Sequence, residues 1–246
     1  MSSATFPFGL EPRSQRADEV SRVRVTGPGH SAPAEKWVEP AASLSMAQAQ
    51  GDPRLEKMRA LRTELLLRRG HPEQTQTIAI LSPCAGEGRT RLAAELALSF
   101  AQTGAPTLLL DADFRHPHLH TLFGVENLLG LAQAIDNVTS PQLYSVRGQR
   151  RLAFLPSGDV ARNPAELLSS RRFGDLLDGW RDEFTTIVID TAPVANFADG
   201  LSVAHLAGCV LAVSRAQHTP YGTFQEMLRR LAATRSEVLG AVISHF

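Results

Sequence analysis

Residues 77–117 read TIAILSPCAGEGRTRLAAELALSFAQTGAPTLLLDADFRHP, and this stretch decides the fold. Ile78–Leu81 is a short apolar run suited to a buried strand. Gly86 and Gly88 follow and allow the positive φ and close backbone approach of a tight turn. Their amides can point inward as an anion nest. A helix from Thr90 to about Gln102 begins at that nest, so its positive end faces the same anion. Gly104 stops the helix. Thr107–Leu110 is a second buried run, ending in Asp111, Asp113 and Arg115. A nucleoside triphosphate with its magnesium suits this layout, with loop residues Ala85, Gly86, Glu87, Gly88, Arg89, Thr90 and Arg91 around the phosphates and the Thr90 hydroxyl on Mg²⁺. A phosphate loop of the form G-x-x-x-x-G-K-[ST] has glycine at position 83 and lysine at position 89. This chain has Pro83 and Arg89. Arginine keeps the charge but is planar and forked, so it cannot act as a compact point charge between phosphates. Binding can survive that change while transfer suffers.

Further along, Thr186–Ile189 is a third buried run, followed by Asp190, Thr191, Ala192 and Pro193. Carboxylates at the C-terminal ends of parallel strands sit where α/β sheets bind ligands. Each aspartate alone reads equally as a helix cap, but three such segments in order weaken that alternative. Asp111 or Asp113 can activate a hydroxyl or order a magnesium water, and Asp190 can hold magnesium through water. Beyond these motifs, apolar runs alternate with helical patterns to the end of the chain. The expected order is helix 53–69, strand 77–82, helix 90–102, strand 107–111, helix 129–136, strand 152–156, helix 164–180, strand 185–190, helix 197–206, strand 209–214, helix 221–234 and strand 238–244. That alternation predicts an α/β fold, a parallel β-sheet with helices on both faces.

The three motifs together resemble the bacterial tyrosine kinases of polysaccharide synthesis, the BY-kinases of CpsD/CapB type, which are P-loop proteins related to the MinD/ParA ATPases. SPCAGEGRT, LLLDADFRHP and TIVIDTAPV are similar to that family's three nucleotide motifs, and FGVENLLGL (123–131) and LPSGDVARNPAELLSS (155–170) to two further stretches. The resemblance covers roughly residues 50–246. It implies a P-loop NTPase fold of the MinD/ParA-like type, ATP and Mg²⁺ as ligands, and γ-phosphoryl transfer to tyrosine in exopolysaccharide or capsule synthesis. Arg89 would cradle phosphates, Thr90, Asp111 and Asp190 would hold magnesium, Asp111 or Asp113 would take the tyrosine proton, and Arg115 would stabilise charge or the turn of the second motif. In residues 53–69, PRLEKMRALRTELLLRR, the residues Glu56, Arg59 and Arg62 recur at steps of three and share one side of a helix. Spacing alone reads as a solvated face. The resemblance implies an interface through which copies assemble into a homo-oligomeric ring. It also implies a membrane-embedded, Wzz-like chain-length regulator as partner, and hence a cytoplasmic protein peripheral to the inner membrane.

Three departures from the family pattern bear on activity. Arg89 is the first. The second is tyrosine: the chain has only Tyr144, in an expected loop, and Tyr221, near a helix start, where the family has a Tyr-rich tail. The third is Ser244, where related proteins often place an asparagine to read the base. Arg89 and the sparse tyrosines leave a rival open, a nucleotide-sensing adaptor that transfers nothing.

Composition bounds the remainder. With 246 residues and 43% hydrophobic content, the chain suits one α/β domain, here 51–246, behind an arm. Its formal net charge of zero gives no electrostatic pull toward nucleic acid. Two cysteines, Cys84 and Cys209, make no disulfide framework. No apolar stretch reaches the roughly 18 residues of a membrane span. Residues 1–50 are rich in Pro, Ser, Gly and Ala without apolar periodicity, so a disordered arm is expected there, with Phe6, Phe8 and Trp37 as its docking candidates.

Overall fold

In the computed structural model, residues 36–44, 53–68, 74–160 and 163–245 are described. Eight strands among them form one sheet in the order β1-β4-β5-β3-β6-β2-β7-β8. The strands are β1 (Trp37–Val38), β2 (Gln76–Leu81), β3 (Thr107–Ala112), β4 (Tyr144–Val146), β5 (Gln149–Leu155), β6 (Thr186–Thr191), β7 (Cys209–Arg215) and β8 (Glu237–Ser244). All neighbouring pairs are parallel except β4 with β5. The helices are α1 (Pro53–Arg68), α2 (Arg89–Ala101), α3 (Leu119–Leu122), α4 (Leu131–Ile135), α5 (Pro164–Leu168), α6 (Arg171–Glu183), α7 (Asp199–Ala207) and α8 (Tyr221–Leu231).

Strand periodicity sorts the apolar residues onto two faces. Leu108, Leu110, Ile187 and Ile189 join a core with α4, α5, α6, α7 and α8. Leu109, Val188, Ile78 and Ile80 join a second core with α1, α2 and α3. Both faces of the central strands are therefore dry, which explains runs such as TLLL and TIVI that lack polar alternation. The central strands β3, β6 and β2 end side by side, with Asp111 opposite Asp190 in register. The turn from β2 into α2 opens at the same end of the sheet.

Three expectations need correction. Tyr144, expected in a loop, and the residues that follow it do not form one. They make a hairpin, β4–β5, which turns at Gly148 with φ 77°. The Tyr144 ring packs 6.4 Å from that of Phe154, and this contact favours strand over loop. The helix expected at 164–180 is two helices, because Ser170 caps a new one by accepting a hydrogen bond from the Phe173 amide at 3.3 Å. Residues 36–44, expected within the disordered arm, belong to the fold. Trp37 and Val38 pair with Ser145 and Val146, and Leu44 is fully buried in the α1–α2 core. The rest of the expected arm, Phe6 and Phe8 included, lies outside the described residues. Among the described residues, no helix is long and apolar enough to cross a membrane.

Candidate nucleotide site

The loop between β2 and α2 is held from inside by Glu87. Its carboxylate is fully buried. Oε2 accepts a hydrogen bond from the Cys84 amide at 2.8 Å, and Oε1 accepts one from the Thr219 hydroxyl. The Ser244 hydroxyl donates to the Glu87 carbonyl at 2.9 Å, and an Arg215 guanidinium nitrogen donates to the Gly86 carbonyl at 3.2 Å. Thus the ends of β7 and β8 brace the loop. Gly86 and Gly88 sit at φ 73° and 90°, in the left-handed region where glycine carries no Cβ penalty. Ala85 and Gly86 are exposed at the loop's crest, while Glu87 points inward as a brace.

Arg89 is turned in the same direction. Its side chain is only 7% exposed. Nε donates to the Thr191 carbonyl at 2.8 Å, and Nη1 donates to the Ser82 hydroxyl and to the Cys84 carbonyl at 2.9 Å. Nη2 stands 3.6 Å from Asp113 Oδ2. One guanidinium therefore ties together the first loop, the second motif and the third. Arg91 points elsewhere, bonding Glu95 at 2.9 Å and the Ser43 carbonyl at 2.6 Å.

The three aspartates have distinct settings. Asp111 is fully buried and accepts from the amides of Asp113 at 3.1 Å and Leu119 at 3.2 Å. Burial, then the nearby charges of Asp190 and Asp113, push its carboxyl well above the usual range. Asp113 accepts from the amides of Arg115 at 3.2 Å and His116 at 2.9 Å, which folds the turn after β3. Asp190 accepts from the Thr191 amide at 3.0 Å through Oδ1, whereas its buried Oδ2 has no hydrogen-bond partner. Burial raises the Asp190 carboxyl to about 7 against the opposing pull of the Arg89 charge and the Thr90 hydroxyl.

That orphaned oxygen, at the end of the strand next to β2, fits a hard cation bound through oxygen. Among the described residues no three His, Cys, Asp or Glu side chains gather as a closed metal cage. Magnesium takes one or two carboxylates and completes its shell with phosphate and water.

Arg115 is not free at the mouth. Its Nε donates to Asp199 Oδ2 at 2.7 Å and its Nη2 to Oδ1 at 3.3 Å, and the guanidinium lies 4.5 Å from the Phe197 ring centroid. Asp199 is buried at the start of α7. Asp199, Arg215 and Ser82 went unread in the sequence, and Thr219 was read only within a rim segment, 217–223, whose individual residues were unassigned. Asp199 had a usable signal, an acid opening a helix nine residues after Asp190, whereas the Thr219–Glu87 contact spans 132 positions and leaves no local pattern.

On α1, Glu56 and Arg59 pair with each other on the surface at 2.5 Å. Arg62 instead reaches its own chain, donating to the Ser99 carbonyl at 2.7 Å and hydroxyl at 3.3 Å.

No protein-family model matches the chain. It is 34% identical over 191 residues to the tyrosine-protein kinase YwqD of Bacillus subtilis, covering 77% of this chain and 80% of that protein. It is 30% identical over 192 residues to the putative tyrosine-protein kinase CapB of Staphylococcus aureus, covering 77% and 83%. Longer relatives match only in part. The chain spans 26% of the putative tyrosine-protein kinase EpsB of Ralstonia solanacearum and 22% of the succinoglycan biosynthesis transport protein ExoP of Rhizobium meliloti, at 31% identity to each. Among solved structures, the VpsO kinase domain superposes with a TM-score of 0.70 at 31% identity, covering 78% of this chain and 96% of that one. The chimerical protein CapA2B2 superposes at 0.77 with 29% identity, covering 86% and 93%. The cobyrinic acid a,c-diamide synthase of Mycobacterium smegmatis, solved with an ATP analog and magnesium, shares the fold alone at 0.57 and 19%.

Proposed function

The chain belongs to the bacterial tyrosine-protein kinases, and from that premise we propose that it binds ATP with Mg²⁺ and transfers the γ-phosphoryl group to tyrosine, slowly. The observation that carries this reading is the convergence on Arg89. That side chain touches the phosphate loop, the second-motif Asp113 and the third-motif Thr191 at one sheet edge. In this reading the amides from Ala85 to Thr90 receive the phosphates, and the Thr90 hydroxyl with Asp190 and Asp111 hold magnesium. The cation would neutralise phosphate charge and fix its orientation. Asp111 or Asp113 takes the phenolic proton, and Arg115, fixed by Asp199, supports the turn and faces developing charge. Phosphoryl transfer of this kind rests on positioning and electrostatics more than on covalent chemistry.

The likeness to a succinoglycan biosynthesis transport protein supports a place in polysaccharide synthesis and export, regulating chain length beside a membrane-embedded Wzz-like regulator. Such a partner would hold the protein at the inner membrane from the cytoplasm. Glu56 and Arg59 lie exposed on α1, where a second copy can reach them, and this supports self-association through that helix.

A second reading is a nucleotide-sensing adaptor without transfer. The anchoring of Arg89 by Ser82, Cys84 and Thr191 favours it, because a phosphate-binding cation must leave those partners first. Calorimetry with ATP and Mg²⁺, paired with radiolabelled transfer on the same sample, separates the readings. Binding with label on tyrosine supports the kinase. Binding without label supports the adaptor. No binding overturns both.

A further inference from the structure

The chain offers a tyrosine kinase only two tyrosines of its own, Tyr144 and Tyr221, and they differ sharply in setting. Tyr144 lies in β4 opposite Phe154 of β5. Its ring packs on Phe154 and sits under the Lys36 amino group at 5.9 Å. To enter another active site it would have to leave the sheet, breaking the β4 ladder. Tyr221 is 78% exposed. It is the first residue of α8, behind Pro220, and no side chain caps that end. A helix turn without a cap opens at low cost. The following residue is Gly222, around which a Cβ would meet nothing within 4 Å. The small flank at Gly222 leaves the phenol room to enter a cleft.

We propose that Tyr221 is the phosphate acceptor of this protein, modified in trans by a second copy. The inference rests on the kinase reading above and names the substrate of that same site. The backbone just before this ring is anchored to its own phosphate loop. Thr219, two residues earlier, donates its hydroxyl to Glu87 and accepts from the Arg215 amide at 2.7 Å, so the backbone leading to Tyr221 is pinned at the rim. In the step, the Tyr221 phenolic oxygen bonds to the γ-phosphorus of ATP held by the second copy. The bond from that phosphorus to the β–γ bridging oxygen breaks, and ADP departs with its electron pair. The phenolic proton passes to Asp111 or Asp113 of the second copy. The product places a dianionic group on the first turn of α8, where the helix dipole favours negative charge. It also lies two residues from the bond bracing the phosphate loop, so the modification is positioned to feed back on nucleotide binding.

The test incubates the full chain with γ-labelled ATP and Mg²⁺, with and without a glutamate–tyrosine copolymer as a generic acceptor. Wild type, Tyr221→Phe and Tyr144→Phe are compared, and labelled sites are mapped by mass spectrometry. The expected result is label on Tyr221 in wild type and Tyr144→Phe, a fall of about tenfold or more in Tyr221→Phe, and equal copolymer labelling in all three. Label per mole of chain should rise with protein concentration, as a bimolecular step requires. Copolymer labelled while Tyr221 stays bare, or label on Tyr144, overturns this inference and leaves the kinase standing. Concentration-independent label on Tyr221 overturns the trans step. No label on chain or copolymer overturns the inference together with the kinase reading.

Discussion

Arg89 occupies the position of a mobile phosphate ligand but behaves as a structural bolt. Its fork serves Thr191, Ser82 and Cys84 at once, a geometry that a single ammonium cannot reproduce. Arg89→Lys should therefore lower stability without nucleotide by about 1–3 kcal/mol, the cost of hydrogen bonds lost at a buried site. If the protein is a restrained kinase, the same variant should raise tyrosine labelling by about tenfold or more, since a lysine can swing to phosphate. Denaturant melts and labelling on one preparation check both halves, and no gain of labelling with binding intact would favour the adaptor. Asp190 makes a second prediction at this scale. Its carboxyl is raised from 3.8 to about 7 by burial, so the folded state holds the proton more tightly than the unfolded chain. The stability from that proton is complete below about pH 4 and is lost as the pH rises through about 7. Asp190→Asn should stabilise the nucleotide-free protein by about 1–3 kcal/mol at about pH 8, with the gain gone near pH 4. Urea unfolding across that range measures it. The variant should also lose stabilisation by ATP and Mg²⁺ that the wild type shows.

At the scale of elements, the helices and strands were legible because each carries its period and its stop. Gly104 after α2, and the unbroken apolar runs of β3 and β6, are local signals. The stretch FGVENLLGL and the stretch beginning LPSGD stood out only as resemblance, and the structure supplies their physical reason. The Leu131 and Ala132 amides donate to the Pro156 and Ser157 carbonyls at 2.8 Å. Asn127 accepts from the Gly158 amide at 2.9 Å and donates to the Ser157 hydroxyl at 2.9 Å. The two stretches are one clasp, joined across about thirty positions, so neither half explains itself in sequence. Gly130 is its tightest point against backbone, because an added Cβ would stand 2.1 Å from the Pro156 carbonyl oxygen. Gly130→Ala should cost about 2–3 kcal/mol through overpacking against backbone. A thermal melt tests this, and an unchanged midpoint would show that the clasp yields freely.

At the scale of the whole molecule, the sheet is closed by a strand that composition hid. Residues 36–44 sit amid proline and alanine, with two apolar side chains that matter, Val38 and Leu44. Such a short strand has no period to read, and only the β4 edge beyond it makes Trp37–Val38 a strand at all. The Ala41 amide donates to the Leu122 carbonyl at 2.7 Å, and Arg91 reaches the Ser43 carbonyl at 2.6 Å. This segment therefore links β4 to α3 and to the helix that starts at the phosphate loop. A tether would leave stability untouched when cut; a structural element would not. Leu44→Ala removes a fully buried side chain from the α1–α2 core and should cost about 2–4 kcal/mol. Deleting residues 1–44 should cost at least as much, whereas deleting 1–35 should leave the 36–44 contacts in place. Urea unfolding of the three variants beside the full chain decides it. Equal midpoints for the deletions 1–35 and 1–44 would return the segment to the arm and remove its coupling to the nucleotide site.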